Sequence, residues 1–185
     1  MSGLAEWAEA IVPHVVAPDA IVLIDGRSGA GKTTLAREVC DRAALQGVSV
    51  QLIHVEDIYP GWGGLADAVQ IVAAQIVGPL AAGRNAQWQS YDWDRGAPGP
   101  LRHAHSGQPV LIEGVGALSK DSAAHASWRV WMEAPTGLRR SRALARDGDL
   151  YRPHWTQWAD AETGFINLHQ PAKLADIIIT TKESP

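Results

Sequence analysis

Residues 24–36 read IDGRSGAGKTTLA, a glycine-rich turn set between an apolar run and a helix-forming one. Gly26, Gly29, Gly31, Lys32 and Thr33 fit the pattern G-x-x-x-x-G-K-[ST], and they sit in the context that pattern requires, after the strand-like "AIVLID" and opening the helix-like "KTTLARE". Glycines let backbone N–H groups converge on phosphate oxygens, and the helix N-terminus adds partial positive charge. Gly26, Ser28, Gly29, Ala30, Gly31, Lys32, Thr33 and Thr34 are therefore expected around the phosphate tail of a nucleoside triphosphate, with Lys32 bridging phosphates and the Thr33 hydroxyl on Mg²⁺.

Outward from this stretch, apolar and β-branched runs recur at 20–26, 48–55, 108–116, 128–134 and 175–181. Their near-continuous apolar character predicts strands buried on both faces. Helical stretches are expected between them at 31–47, 65–83 and 136–149, with another at 4–12. Alternating strands and helices imply right-handed crossovers and a mostly parallel five-stranded sheet, an α/β three-layer architecture. The 185 residues are enough for one domain with a sizeable core and too few for two. The proline- and glycine-rich stretch 94–109, "DRGAPGPLRHAHSGQP", is expected to be a long exposed loop.

The formal charge of −4 argues against nucleic acid or an anionic membrane surface as the main partner and favours a small molecule. A single cysteine, Cys40, forms no internal disulfide, and the opening "MSGLAEWAEAIVPHVV" is acidic where a secretory signal is basic, so a cytoplasmic protein is expected. The sequence leaves a homodimer open.

Other residues bear on the reaction. Asp57, in "LIHVEDIYPGW", falls at the carboxyl end of the second strand, where a carboxylate can orient an attacking hydroxyl or take its proton. Glu56 is the rival, and strand alternation would send the two acids to opposite sides. Glu113 is the lone acid of "PVLIEGVGAL", a strand-tip carboxylate positioned to hold Mg²⁺. In "TGLRRSRALARDGDLYRPHW", Arg139, Arg142 and Arg146 share a helix face and could close over the triphosphate, with Arg152 in the flexible stretch beyond. Trp62 and Trp93 stand beside Asp57 and Tyr91 in sequence and are placed near the acceptor. Trp128 and Trp131 are read as packing residues.

In order from about residue 20 to residue 180, this set resembles the uridine kinase and phosphoribulokinase group of P-loop kinases, with pantothenate kinase more distant. "IDGRSGAGKTTLA", "VEDIY", "YDWDRG", "VLIEGVGAL", "LARD" and "LADIIIT" each look like the corresponding family segment. The resemblance implies a nucleoside kinase-like fold with a short arginine-containing lid over roughly 139–160. It implies ATP and Mg²⁺ as cofactors, Asp57 as general base, Lys32 and Thr33 on ATP and Mg²⁺, Tyr91 near the acceptor, and Arg146 in the lid. The adenine would lie near 167–176. Tyr59 stands in the acceptor segment, where one aromatic of the family pattern is missing, and "YDWDRG" lacks a histidine that uridine kinases carry. These departures argue against uridine itself, and Asp92, Asp94 and Arg95 point to a more polar acceptor with several hydroxyls or an amine. The expected activity is transfer of the ATP γ-phosphoryl group to a hydroxyl of a nucleoside-, sugar- or pantothenate-like molecule. A shikimate- or gluconate-type kinase and a non-catalytic ATP-binding regulator are the alternatives.

Overall fold

The computed structural model describes residues 3–181. Five strands form one parallel sheet: β1 (Ile21–Gly26), β2 (Gln51–His54), β5 (Val110–Glu113), β6 (Trp128–Glu133) and β7 (Ile177–Thr180), in the order β2-β5-β1-β6-β7. Each falls within one of the five apolar runs. The strand feeding the phosphate loop is thus central, with β5 on one side and β6 on the other. Every residue of β1 is buried. Its alternate side chains feed two cores, Val22 and Ile24 on one face, Ile21 and Leu23 on the other, as the two-residue period of a strand requires.

On the first face lie α1 (Leu4–Val15) and α2 (Lys32–Leu45), which bury Ile11, Val15, Leu35 and Val39 against the sheet. Spacing of three and four residues puts these side chains on one stripe of each helix. The other face is covered by α3 (Leu65–Ile71), which runs through a π-helical stretch (Val72–Val77) into α4 (Gly78–Ala81). The widening ends just before Pro79, whose ring offers no N–H to the preceding turn. Also present are the short α5 (Lys120–Ala123) and α8 (Pro171–Leu174), and two long helices, α6 (Thr136–Tyr151) and α7 (Trp155–His169), joined by a 3-10 turn at Arg152–His154.

Two expectations are corrected. Residues 94–109 are mostly not a loop: β3 (Ala86–Asp92) and β4 (Ala97–Ala104) form an antiparallel hairpin, with a register irregularity between Gln89 and Tyr91. A two-stranded ribbon tolerates Pro98 and Pro100 because each strand has an edge where a missing N–H is not needed. The stretch after Tyr151 is helical, and α7 is an element the sequence reading did not anticipate. Among the described residues, no helix is long and apolar enough to cross a membrane.

Candidate active site

The phosphate loop leaves β1 at Gly26 and enters α2 at Lys32. Gly29 and Gly31 have φ of 80° and 99°, values that L side chains rarely adopt. A Cβ on Gly29 would also fall onto the Arg139 carbonyl, and one on Gly26 onto the Met132 carbonyl. The glycines are required by conformation and by close approach. Lys32 is buried, and its Nζ donates to the carbonyls of Gly26 (2.7 Å) and Arg27 (3.1 Å). Burial pulls this amine below its usual range, while Glu113, Asp25 and Glu162 oppose that pull. A buried cation is costly without a negative partner, and an anion in the loop would provide one.

Register places Glu113 beside Ile24 on one side and His54 on the other. Its carboxylate accepts from Thr33 Oγ1 at 3.0 Å and lies 2.5 Å from His54 Nδ1. Burial raises the Glu113 pKa, but the His54 hydrogen bond, Lys32 and Thr33 together outweigh it and hold the acid below its ordinary value. The same bond raises His54. A hydroxyl and an ionised carboxylate, adjacent at the carboxyl edge of the sheet, are oxygen donors of the kind Mg²⁺ takes, so Thr33 and Glu113 fit the metal. The loop amides and Lys32 fit a triphosphate.

Above this edge the cleft has two lobes that share Gly29, Lys32, Thr33, Glu56, Glu113 and Arg146. The larger, about 560 Å³, is bordered by Gly31, Thr34, Arg37, His54, Asp57 and Arg142. The smaller, about 420 Å³, is walled by Tyr59, Trp62, Trp93, Tyr151 and Trp158. The phosphate loop, Asp57, Arg142 and Arg146 therefore meet in one lobe, and Tyr59, Trp62 and Trp93 in the adjoining one.

Several expectations change. Strand alternation does not separate Glu56 from Asp57, because β2 ends at His54 and residues 55–57 form a 3-10 turn. Both acids border the cleft, and Glu56 reaches both lobes, where its carboxylate lies 3.5 Å from Arg146 Nη2. Tyr91 lines neither lobe; its ring meets Trp93 edge-on at 5.2 Å and supports that wall from behind. Arg95 is exposed in the hairpin turn, where its amide donates to Asp92 Oδ1, and lines neither lobe. The acids and arginine of 92–95 thus border neither lobe. Arg152 is exposed and also lines neither lobe. Arg139 does not line the cleft with Arg142 and Arg146. It is buried, and its guanidinium donates to the carbonyls of Ala134 (3.1 Å) and Ser28 (3.3 Å), tying the start of α6 to the back of the phosphate loop.

Three functional groups escaped the sequence reading. His54 was unmarked, though its position opposite the strand-tip acid follows once β2 is known to pair with β5. Trp158 and Glu162, from α7, both grip Ser28: Trp158 Nε1 donates to Ser28 Oγ at 2.9 Å, and the Ser28 amide donates to Glu162 Oε1 at 2.7 Å. Glu162 also pairs with Arg27 at 3.6 Å.

No protein-family model and no curated protein matches the chain. Solved structures do. A possible uridine kinase from Bacillus stearothermophilus matches with a TM-score of 0.69 at 21% identity, over 95% of this chain and 96% of that one. A protein described as a candidate fructose transport system kinase, from Silicibacter sp. TM1040, matches with a TM-score of 0.57 at 15% identity, over 98% and 100%. YFH7 from Saccharomyces cerevisiae, described as a candidate P-loop containing kinase with a circular permutation, gives 0.53 at 10% identity, over 98% of each chain. Taken with the strand order, these matches show that the chain shares the fold of these structures, a mostly parallel five-stranded α/β sheet with flanking helices.

Proposed function

We propose that this protein is an ATP-dependent kinase that transfers the γ-phosphoryl group to a hydroxyl of a small acceptor, within the nucleoside-, sugar- or pantothenate-like range. The observation that carries this reading is the shared cleft. One lobe combines the anion-binding loop with three carboxylates, Glu56, Asp57 and Glu113, and it adjoins a second lobe with room for an organic body. The second lobe gives a second ligand a place beside the loop, which favours transfer over binding alone.

Bound ATP and Mg²⁺ would supply the phosphoryl group and neutralise its charge. The residues of the chain then act mainly by placement. The amides of Gly29–Thr33 and Lys32 hold the phosphates, Thr33 and Glu113 hold the metal, and Arg142 and Arg146 screen charge that develops during transfer. Asp57 receives the hydroxyl proton as the acceptor oxygen bonds to phosphorus and ADP departs. Glu56, in the same turn, is the second carboxylate within reach.

The test is ADP release across a panel of alcohols, with nucleotide affinity measured by calorimetry. Lys32→Ala should lower turnover by roughly a hundredfold or more. Asp57→Asn should retain ATP binding and lose acceptor-dependent ADP release. If Asp57→Asn keeps full activity and Glu56→Gln loses it, the base is Glu56. ATP binding with no acceptor-dependent ADP release from the wild-type chain would make it a nucleotide-binding regulator instead.

A further inference from the structure

Among the described residues, five aromatic side chains wall the smaller lobe, and three of them bond their polar tips to the protein. Tyr59 O–H donates to the Val115 carbonyl (2.7 Å), Trp93 Nε1 to the Glu56 carbonyl (2.9 Å), and Trp158 Nε1 to Ser28 Oγ (2.9 Å). Trp62 is the hub of the wall. Its ring stacks on His154 (4.5 Å, 12°) and Tyr151 (5.3 Å, 12°) and stands inclined to Trp93 (5.0 Å, 59°) and Trp158 (6.2 Å, 84°), so the three indoles form inclined sides of a box and Trp62 already carries two stacked neighbours. Beyond the phosphate loop and Glu113, the charged side chains on this lobe are Glu56 and Arg146, which face each other. Among the described residues, no Asn, Gln or His lines it.

This lining discriminates between acceptors. A nucleobase brings an edge of donors and acceptors, and a sugar brings several hydroxyls. Each such group must find a partner once water is excluded, or it costs about 1–3 kcal/mol. Away from the phosphate loop and Glu113, the charged partners it offers are Glu56 and Arg146, already paired with each other. An aromatic ring needs none, and inclined walls let it stack on one indole while meeting another edge to face, the two arrangements that aromatic pairs prefer. Asp92, Asp94 and Arg95, which pointed to a polar acceptor in the sequence, line neither lobe.

Building on the kinase reading, we infer that the acceptor is a small alcohol carrying a sparsely polar aromatic ring. The ring occupies the box of Trp62, Trp93 and Trp158, and the hydroxyl arm points toward Glu56 and Lys32. The space of about 420 Å³ suits a ring with a short arm. The reaction balances as alcohol plus ATP giving phosphate monoester plus ADP, the hydroxyl proton passing to a cleft carboxylate.

Binding and turnover should be measured separately on the full chain. The probes are 2-phenylethanol and 3-pyridinemethanol as ring alcohols, with uridine, fructose and choline as competitors for the assignment. In the presence of ADP, the ring alcohols should quench tryptophan fluorescence, and with ATP their kcat/KM should exceed those of uridine, fructose and choline by about tenfold or more. Trp62→Ala and Trp93→Ala should raise the KM for the ring alcohol about tenfold while the Kd for ATP stays within about twofold. Trp62→Phe, which keeps an aromatic ring, should restore most of the loss, and a loss of ATP affinity in Trp62→Ala alongside the rise in KM would mark a merely structural role for the indole and overturn its place in the site.

A preference for uridine or fructose would overturn the inference and leave the kinase reading intact. A preference for choline would overturn it in favour of a cation held by the same ring faces. Ring alcohols that bind in the box with no ADP release from any acceptor would uphold the ring site but overturn both its role as acceptor site and the kinase reading. Failure of every ring alcohol to bind would overturn the inference whatever the turnover.

Discussion

Asp25 lies enclosed at the end of β1, one residue before the phosphate loop. Its carboxylate accepts N–H bonds from Leu118 (2.8 Å), Gly116 (3.1 Å) and its neighbour Gly26 (2.6 Å). It therefore pins the turn after β5 beneath the loop. Burial pushes its pKa up to about 7, against the opposing pull of those amides and of Lys32. The unfolded chain releases this proton near 3.8, so between about pH 4 and 7 the folded state holds a proton that the unfolded state has lost. The contribution of Asp25 to stability is thus greatest below pH 4, falls as pH rises to 7 and is flat above. Denaturant unfolding at pH 5 and pH 8 should show wild type losing more stability across that interval than Asp25→Asn; equal losses in the two would refute the assignment. At this scale Lys32, Thr33 and Glu113 are legible because their neighbours in the chain define them, and the structure brings them to one cleft. Tyr91, Arg95 and Arg152, expected beside them, line neither lobe, because their facing depends on how a hairpin and a helix joint are set.

Helix α7 shows why one element was missed. Its buried positions Trp158, Glu162 and Phe165 have helical spacing, but the middle one is an acid, and an acid in an apolar stripe hides the pattern that marks a helix. That acid gives the element its function. Glu162 accepts the Ser28 amide and pairs with Arg27, so α7 holds the phosphate loop in shape. Glu162→Ala leaves a part-buried amide unpaired, at a cost of about 1–3 kcal/mol, and should raise the Kd for ATP about tenfold. Glu162→Gln, which keeps an oxygen for the amide, should recover much of that. Calorimetry with ATP decides: wild-type affinity in a folded Glu162→Ala variant would show that α7 does not position the loop. Where α6 meets the 3-10 turn, Gly148 takes φ 55° and ψ −131°, a conformation essentially reserved for glycine. It breaks the long helical run so that α7 can turn back onto the loop.

For the whole molecule, the strand order puts the cleft where crossovers diverge on either side of β1, the place where open α/β sheets bind ligands. Groups from the β1 loop, the turn after β2, the tip of β5 and helix α6 converge there. A ligand that joins elements so far apart in sequence should stabilise the entire fold. At one hundred times its Kd, ATP should add about 2.7 kcal/mol to unfolding stability, seen as a rise in Tm, and Lys32→Ala should abolish most of that rise. An unchanged wild-type Tm with ATP and Mg²⁺ present would contradict the assignment of the loop.

By itself the sequence determined the five strands, the crossovers between them, the phosphate loop and the acid beside it. These depend on short-range patterns, such as apolar runs, glycine spacing and a lysine at a helix start, that any tertiary arrangement must respect. Only the tertiary structure decided that Glu56 and Asp57 share a cleft, that Glu113 meets His54, that Arg139 supports the loop from behind, and that Trp158 and Glu162 reach it from more than a hundred residues away. Such contacts are set by strand register and by where helices dock. Docking answers to packing over the whole chain, and local sequence does not encode it.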